Sequence, residues 1–194
     1  MGDFLTRLPG PLSAPGRCFF AAWNRWRRGA ALPGYRAADL ADLAGQARMC
    51  LMMEIRSRDN MPILLAGPGI AELIGFDPTG GDYLDMTTLE NRGMRAELVL
   101  EQILQPCGAI LYYWLRYPDE TILPVEVVGA PLCRDGASIP DLMLGCVTPL
   151  ARVAANGVAD PDSYMIADGM RFIDIGFGIP AANPNVPRRL QHTH

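Results

Sequence analysis

"ILLAGPGIAELIGFDPTGG", residues 63–81, joins an apolar run to Gly-Pro-Gly and then to a segment with helical spacing. Two readings compete: a loop that cradles phosphate, and a strand followed by a tight turn and a short helix. A dinucleotide fingerprint needs a third glycine three residues after the second. Gly67 and Gly69 supply the first two, but Glu72 stands in the third place. A carboxylate there is too bulky for close packing of helix on strand, and it competes with a bound anion for the helix start. Pro68 removes an N–H from the would-be cradle. No Gly-Lys-Ser/Thr follows, so a P-loop fails as well. The stretch therefore predicts a strand, a turn and a short helix over 70–74, closed by Gly75.

Composition narrows the chemistry further. The chain has 194 residues, 49% apolar and 20% charged, as in an ordinary globular domain. Its formal net charge of −4 gives no general attraction to nucleic acid or to an anionic membrane. All 17 basic residues are arginine, and the two histidines are His192 and His194. A Schiff-base or P-loop lysine is thus missing, as is a histidine in the body of the chain for a triad, a haem or a zinc site. Few groups remain for proton transfer near neutral pH, and no catalytic residue or metal ligand is assigned. Cys18, Cys50, Cys107, Cys133 and Cys146 are odd in number and contain no C-x-x-C pair. They read as reduced thiols of a cytoplasmic protein. No apolar run reaches the length of about 18 residues that a membrane span needs. No secretory signal pattern opens the chain.

Working outward from 63–81, "ARMCLMMEIRS" alternates as a half-buried strand, and "MPILLA" returns beside it after the turn "RDN". The best helix is "RGMRAELVLEQILQ", with Ala96, Val99, Leu100, Ile103 and Leu104 on one face and Glu97 and Glu101 on the other. Three strands follow: "AILYYWLRY", "ILPVEVVGAPL" and "DLMLGCVTPL". This is an α+β pattern with an antiparallel sheet and no βαβ alternation. Upstream, residues 1–16 read as an irregular leader, and 17–45 as an N-terminal helix with its connection. There Phe19, Trp23 and Trp26 share one helical face. The main domain spans 46–150. Residues 151–180 are expected to dock on it, and 181–194 to be a disordered tail. Asp39 and Asp42 lie one helical turn apart and read as a cap or a solvated face.

Two strands, small helices, one long helix and three strands is the order of a PAS domain. The stretches "WNRWRRGAALPGYRAADL" (23–40), "LLAGPGIAELIGFDPTG" (64–80) and "PLCRDGASIPDLMLG" (131–145) resemble the stand-alone PAS-like proteins of alphaproteobacteria. "RFIDIGFGIP" (171–180) is similar to the tail those proteins carry. The resemblance covers residues 23–180. It implies a five-stranded antiparallel sheet with helices over one face, preceded here by an N-terminal helix and followed by a C-terminal extension. Pro68 departs from the family, where a small polar residue is more familiar. Light-sensing flavin domains of this kind carry an Asn-Cys-Arg-Phe motif, which does not occur here. Haem domains of the common type need a histidine in the body of the fold. The cinnamate-binding type uses a reactive cysteine near the middle, and nothing nearby obviously activates Cys107. Neither flavin nor haem is expected, so the preparation should be colourless.

The resemblance places any cavity between sheet and helices. Strand alternation suggests Met53, Leu65, Tyr113, Val127 and Leu144 as inward residues, with Ile70, Leu73, Leu100 and Leu104 from the helices. Tyr113 is the polar anchor of that set. The expected function is that of a non-enzymatic regulatory or sensory module. Its partners would be a small apolar or aromatic ligand, a signalling protein or a second copy. No kinase, cyclase or DNA-binding segment accompanies it in these 194 residues, so output through association is expected. A homodimer is predicted through the N-terminal helix with Phe19, Trp23 and Trp26 as contacts; most of the area of these rings is expected to cap the domain's own sheet, with one edge left for the twin. The competing readings are a structural homodimer without ligand and, as the poorest, an enzyme using Asp, Glu, Cys or Tyr.

Overall fold

A computed structural model describes residues 12–43, 45–134, 137–151, 157–161 and 167–181. Helix α1 is Ala14–Trp26. It starts inside the expected leader because the Ser13 side chain caps it, accepting a bond from the Gly16 N–H, and because Pro15 suits the first turn. Residues 1–11 of that leader, and 182–194 of the expected tail, lie outside the described residues.

Strand β1 is Cys50–Glu54 and β2 is Ile63–Ala66. The first is shorter than its alternation predicts, since Gln46–Met49 wind into a 3-10 helix. Helix α2, Pro68–Ile74, has Pro68 at its first position, where the missing N–H costs nothing, and ends at Gly75 with φ +87°. Pro68 therefore starts the helix and leaves the turn intact. A 3-10 turn, Tyr83–Met86, leads into α3, Leu89–Leu104. Strands β3 (Gly108–Arg116), β4 (Ile122–Leu132) and β5 (Leu142–Pro149) follow.

The sheet has the order β2-β1-β5-β4-β3-β6, and every pairing is antiparallel. It has six strands where five are expected. The addition is β6, Ala167–Ile173, in the segment read as a docked extension: it hydrogen-bonds along β3 and covers what would be an exposed edge. Helix α1 packs on one face of the sheet, called here the outer face. Helices α2 and α3 pack on the other, the inner face. No described helix is long and apolar enough to cross a membrane.

The aromatic stripe of α1 turns entirely inward. Phe19 and Trp23 are 0% exposed and Trp26 3%. The Trp23 indole donates to the Pro131 carbonyl at 3.0 Å, and the Trp26 indole to Asp42 at 2.8 Å. The rings cap their own sheet, as expected for most of their area, and the expectation that they also present an edge to a second copy is corrected here. A stripe already spent on its own sheet offers no surface to a partner.

Candidate functional site

Strand alternation divides the side chains between the two faces. Leu51, Met53, Tyr113, Val125, Val127 and Val147 fall with the side chains of α2 and α3. Cys50, Met52, Ile110, Val128, Leu144 and Cys146 fall with the rings of α1.

At the centre of the inner face two glycines lie side by side, Gly129 of β4 opposite Gly145 of β5. A Cβ built on Gly129 would meet only Leu144 O at 3.5 Å and Met143 Sδ at 3.8 Å. On Gly145 it would meet only Val128 O at 3.4 Å and Leu51 O at 3.9 Å. All of these belong to the sheet. No atom of α2 or α3 lies within 4 Å of either built Cβ, which leaves room for a side chain above this floor. Glycine in a strand interior often marks such a site of close approach.

The rim tells the same story. Leu51, Tyr113, Val127 and Val147 are only half-buried, although they lie in the sheet beneath the helices. Desolvation nevertheless pushes the Tyr113 phenol above its ordinary range, and the neighbouring Tyr83 adds to the rise. A side chain that is enclosed by protein and still keeps accessible area lines an internal cavity or cleft.

One charged residue enters this interior. Arg95 of α3 is 6% exposed. Its guanidinium carbon sits 4.3 Å from the Tyr83 ring centroid, and its nearby positive charge partly offsets the rise of the Tyr113 phenol. Its Nη1 has no hydrogen-bond partner among the described residues. The site thus offers an apolar floor, a phenol and a guanidinium. Among the described residues, no group of three or more His, Cys, Asp or Glu is placed to hold a metal.

The structure brings together Met53, Ile70, Leu73, Leu100, Tyr113 and Val127 on the inner side. It removes three others. Leu144 is buried on the outer face, in step with Cys146. Leu65 packs on the outer side too, because a register shift between Met52 and Met53 sets Leu65 opposite Met52. Leu104 ends α3 at 82% exposure, since the buried stripe runs through Arg95, Val99 and Gln102 instead. Arg95, Gly129 and Gly145 were missed. The available signal was glycine inside two strongly apolar strands, "VVGAP" and "MLGCV".

The sequence profile described as PAS domain matches residues 12–148, more than half of the chain, from before α1 to the penultimate residue of β5. The chain belongs to the PAS domain family. The matched span includes every residue of the inner site named above. A comparison with curated proteins gave no match. Among solved structures, this PAS chain is similar to a light-oxygen-voltage domain studied with a flavin analogue, at 20% identity and a TM-score of 0.44. That alignment covers 61% of this chain and 87% of the other. A LOV protein of Rhodobacter sphaeroides matches at 18% identity and a TM-score of 0.38, over 56% of this chain and 66% of its own. A sensory box histidine kinase/response regulator of Burkholderia thailandensis E264 matches at 12% identity and a TM-score of 0.37, over 58% and 85%.

Proposed function

We propose that this PAS domain is a non-enzymatic sensory module that holds one small molecule between the sheet and helices α2 and α3. The observation that carries the reading is the open floor at Gly129 and Gly145, ringed by half-buried Leu51, Tyr113, Val127 and Val147. A binding role suits a site whose polar groups are a raised phenol and a guanidinium, with no general base between them. The residues do not fit the thiol chemistry of a light-sensing flavin domain: α2, α3 and the turn between them contain no cysteine. With both histidines at 192 and 194, no histidine stands on the elements that frame the interior, which argues against haem. The free cysteines fit a reducing, cytoplasmic setting.

Native mass spectrometry of the freshly purified full chain tests the reading. A retained small molecule that Gly145→Val reduces or abolishes is the expected result. A bare chain mass that the same variant leaves unchanged counts against it.

One observation favours a second reading, a homodimer without ligand. Trp114, Ile122 and Leu150 form an exposed apolar patch on the outer face around Pro124, beyond α1. Sedimentation of Trp114→Arg decides it: a dimer that becomes monomeric supports this face, and an unchanged mass rules it out.

A further inference from the structure

We propose that the molecule held in this interior carries a carboxylate, bound by Arg95 and Tyr113, with an apolar body lying over Gly129 and Gly145. The inference rests on the reading of the interior as a ligand site. An arginine guanidinium is a fixed positive charge. A buried charge without a counter-charge is strongly unfavourable, and the Tyr83 ring compensates only in part. Nη1 of Arg95 stands without an acceptor among the described residues, and no ion pair joins Arg95 to a carboxylate among them.

Tyr113 adds a second donor. The Arg95 charge lies close enough to act on its phenol, and no acceptor takes its O–H among the described residues. Two donors and one positive charge thus meet at one end of an otherwise apolar space. A carboxylate supplies acceptor oxygens and a single negative charge in matching geometry. A phosphate dianion would call for more cation, and Arg92, one turn earlier on α3, is already tied to Asp85. Leu51, Val127 and Val147 then leave only apolar contact for the rest of the ligand.

The test uses the full chain as wild type, Arg95→Met and Tyr113→Phe. The probes are matched acid and alcohol pairs: benzoate and benzyl alcohol, phenylacetate and 2-phenylethanol, octanoate and 1-octanol, decanoate and 1-decanol. Calorimetry gives affinities and thermal unfolding gives the stability of the free chain. At least one carboxylate should bind about 10- to 100-fold more tightly than its alcohol. Arg95→Met should lose a similar factor for the acid while the free variant melts at the same temperature or higher, because an unpaired buried charge has been removed. Tyr113→Phe should weaken the acid severalfold. If Arg95→Met does not fold, Tyr113→Phe and the acid–alcohol contrast decide.

Equal binding of acid and alcohol, or full acid affinity in Arg95→Met, overturns the inference while leaving the ligand site standing. Should none of the probes bind, any molecule retained through native mass spectrometry decides by its charge: a carboxylic acid supports the inference, and a neutral compound overturns it. No probe binding and no retained molecule sinks both readings together.

Discussion

Gly67 and Gly69 are needed for space rather than for phosphate. A Cβ on Gly67 would lie 2.3 Å from the Arg48 carbonyl oxygen, and one on Gly69 would lie 2.3 Å from Met49 Sδ. The start of α2 is pressed against the 3-10 helix Gln46–Met49, and only glycine lets the two backbones approach so closely. Glu72, which spoils the dinucleotide fingerprint, sits on the surface and pairs with Arg48 at 2.6 Å. These neighbours should respond very differently to substitution. Gly67→Ala must push backbone away from backbone and is expected to destabilise by roughly 1–3 kcal/mol, read as a lower urea midpoint. Glu72→Gln loses an exposed ion pair and should cost less than about 1 kcal/mol. Equal effects would mean that the close approach at Gly67 is not what the position requires.

Helix α1 is held on the sheet by a device the sequence disguises. Glu126, at 1% exposure, accepts from the Ser13 N–H at 3.0 Å and from the Ser13 hydroxyl at 2.5 Å, while the Tyr112 hydroxyl donates to it at 3.3 Å. A carboxylate at a helix N-terminus also complements the helix dipole. Gly16 is required beneath it, since a Cβ there would lie 2.5 Å from Glu126 Oε1. Glu126→Ala should therefore destabilise by roughly 1–3 kcal/mol. It should also speed trypsin cleavage at Arg25, and an unchanged cleavage rate would show that Glu126 does not anchor α1. In the sequence, Glu126 alternates with Val125 and Val127, and nothing in that alternation marks it as buried. Period 2 separates the two faces of a strand, but it cannot say that a distant helix covers the polar one. The same limit hid Arg95. Spacing in α3 marks Leu104 as core, whereas the helix is rotated to bury an arginine that the apolar pattern excludes. The element order was legible because strand alternation and helix spacing are local signals. The floor of the site depends on register between β4 and β5, which is not a local property.

Across the whole molecule, helices on both faces of the sheet keep four of the five thiols out of water. Cys50, Cys107, Cys133 and Cys146 are buried, and Cys18 alone is half-exposed. Alkylation of the native chain at neutral pH should therefore give one adduct, at Cys18, against five after denaturation. Burial also shapes stability in alkali. Desolvation first, and then Glu101 and Asp174, push the Cys107 thiol up from 9.0 to about 12. Desolvation likewise raises Cys133, Tyr113 and Tyr117. For each, the folded pKa lies above the unfolded one, so the unfolded chain loses its proton first as pH rises. The contribution of Cys107 is complete below pH 9.0 and is lost progressively up to about pH 12. The chain should accordingly melt at falling temperature across that window. Cys107→Ala removes one of the protons responsible and should flatten the slope there, whatever its constant cost at neutral pH. Parallel melting curves for the variant and the wild type from pH 9 to pH 12 would show that Cys107 ionises as readily in the folded chain as in the unfolded one.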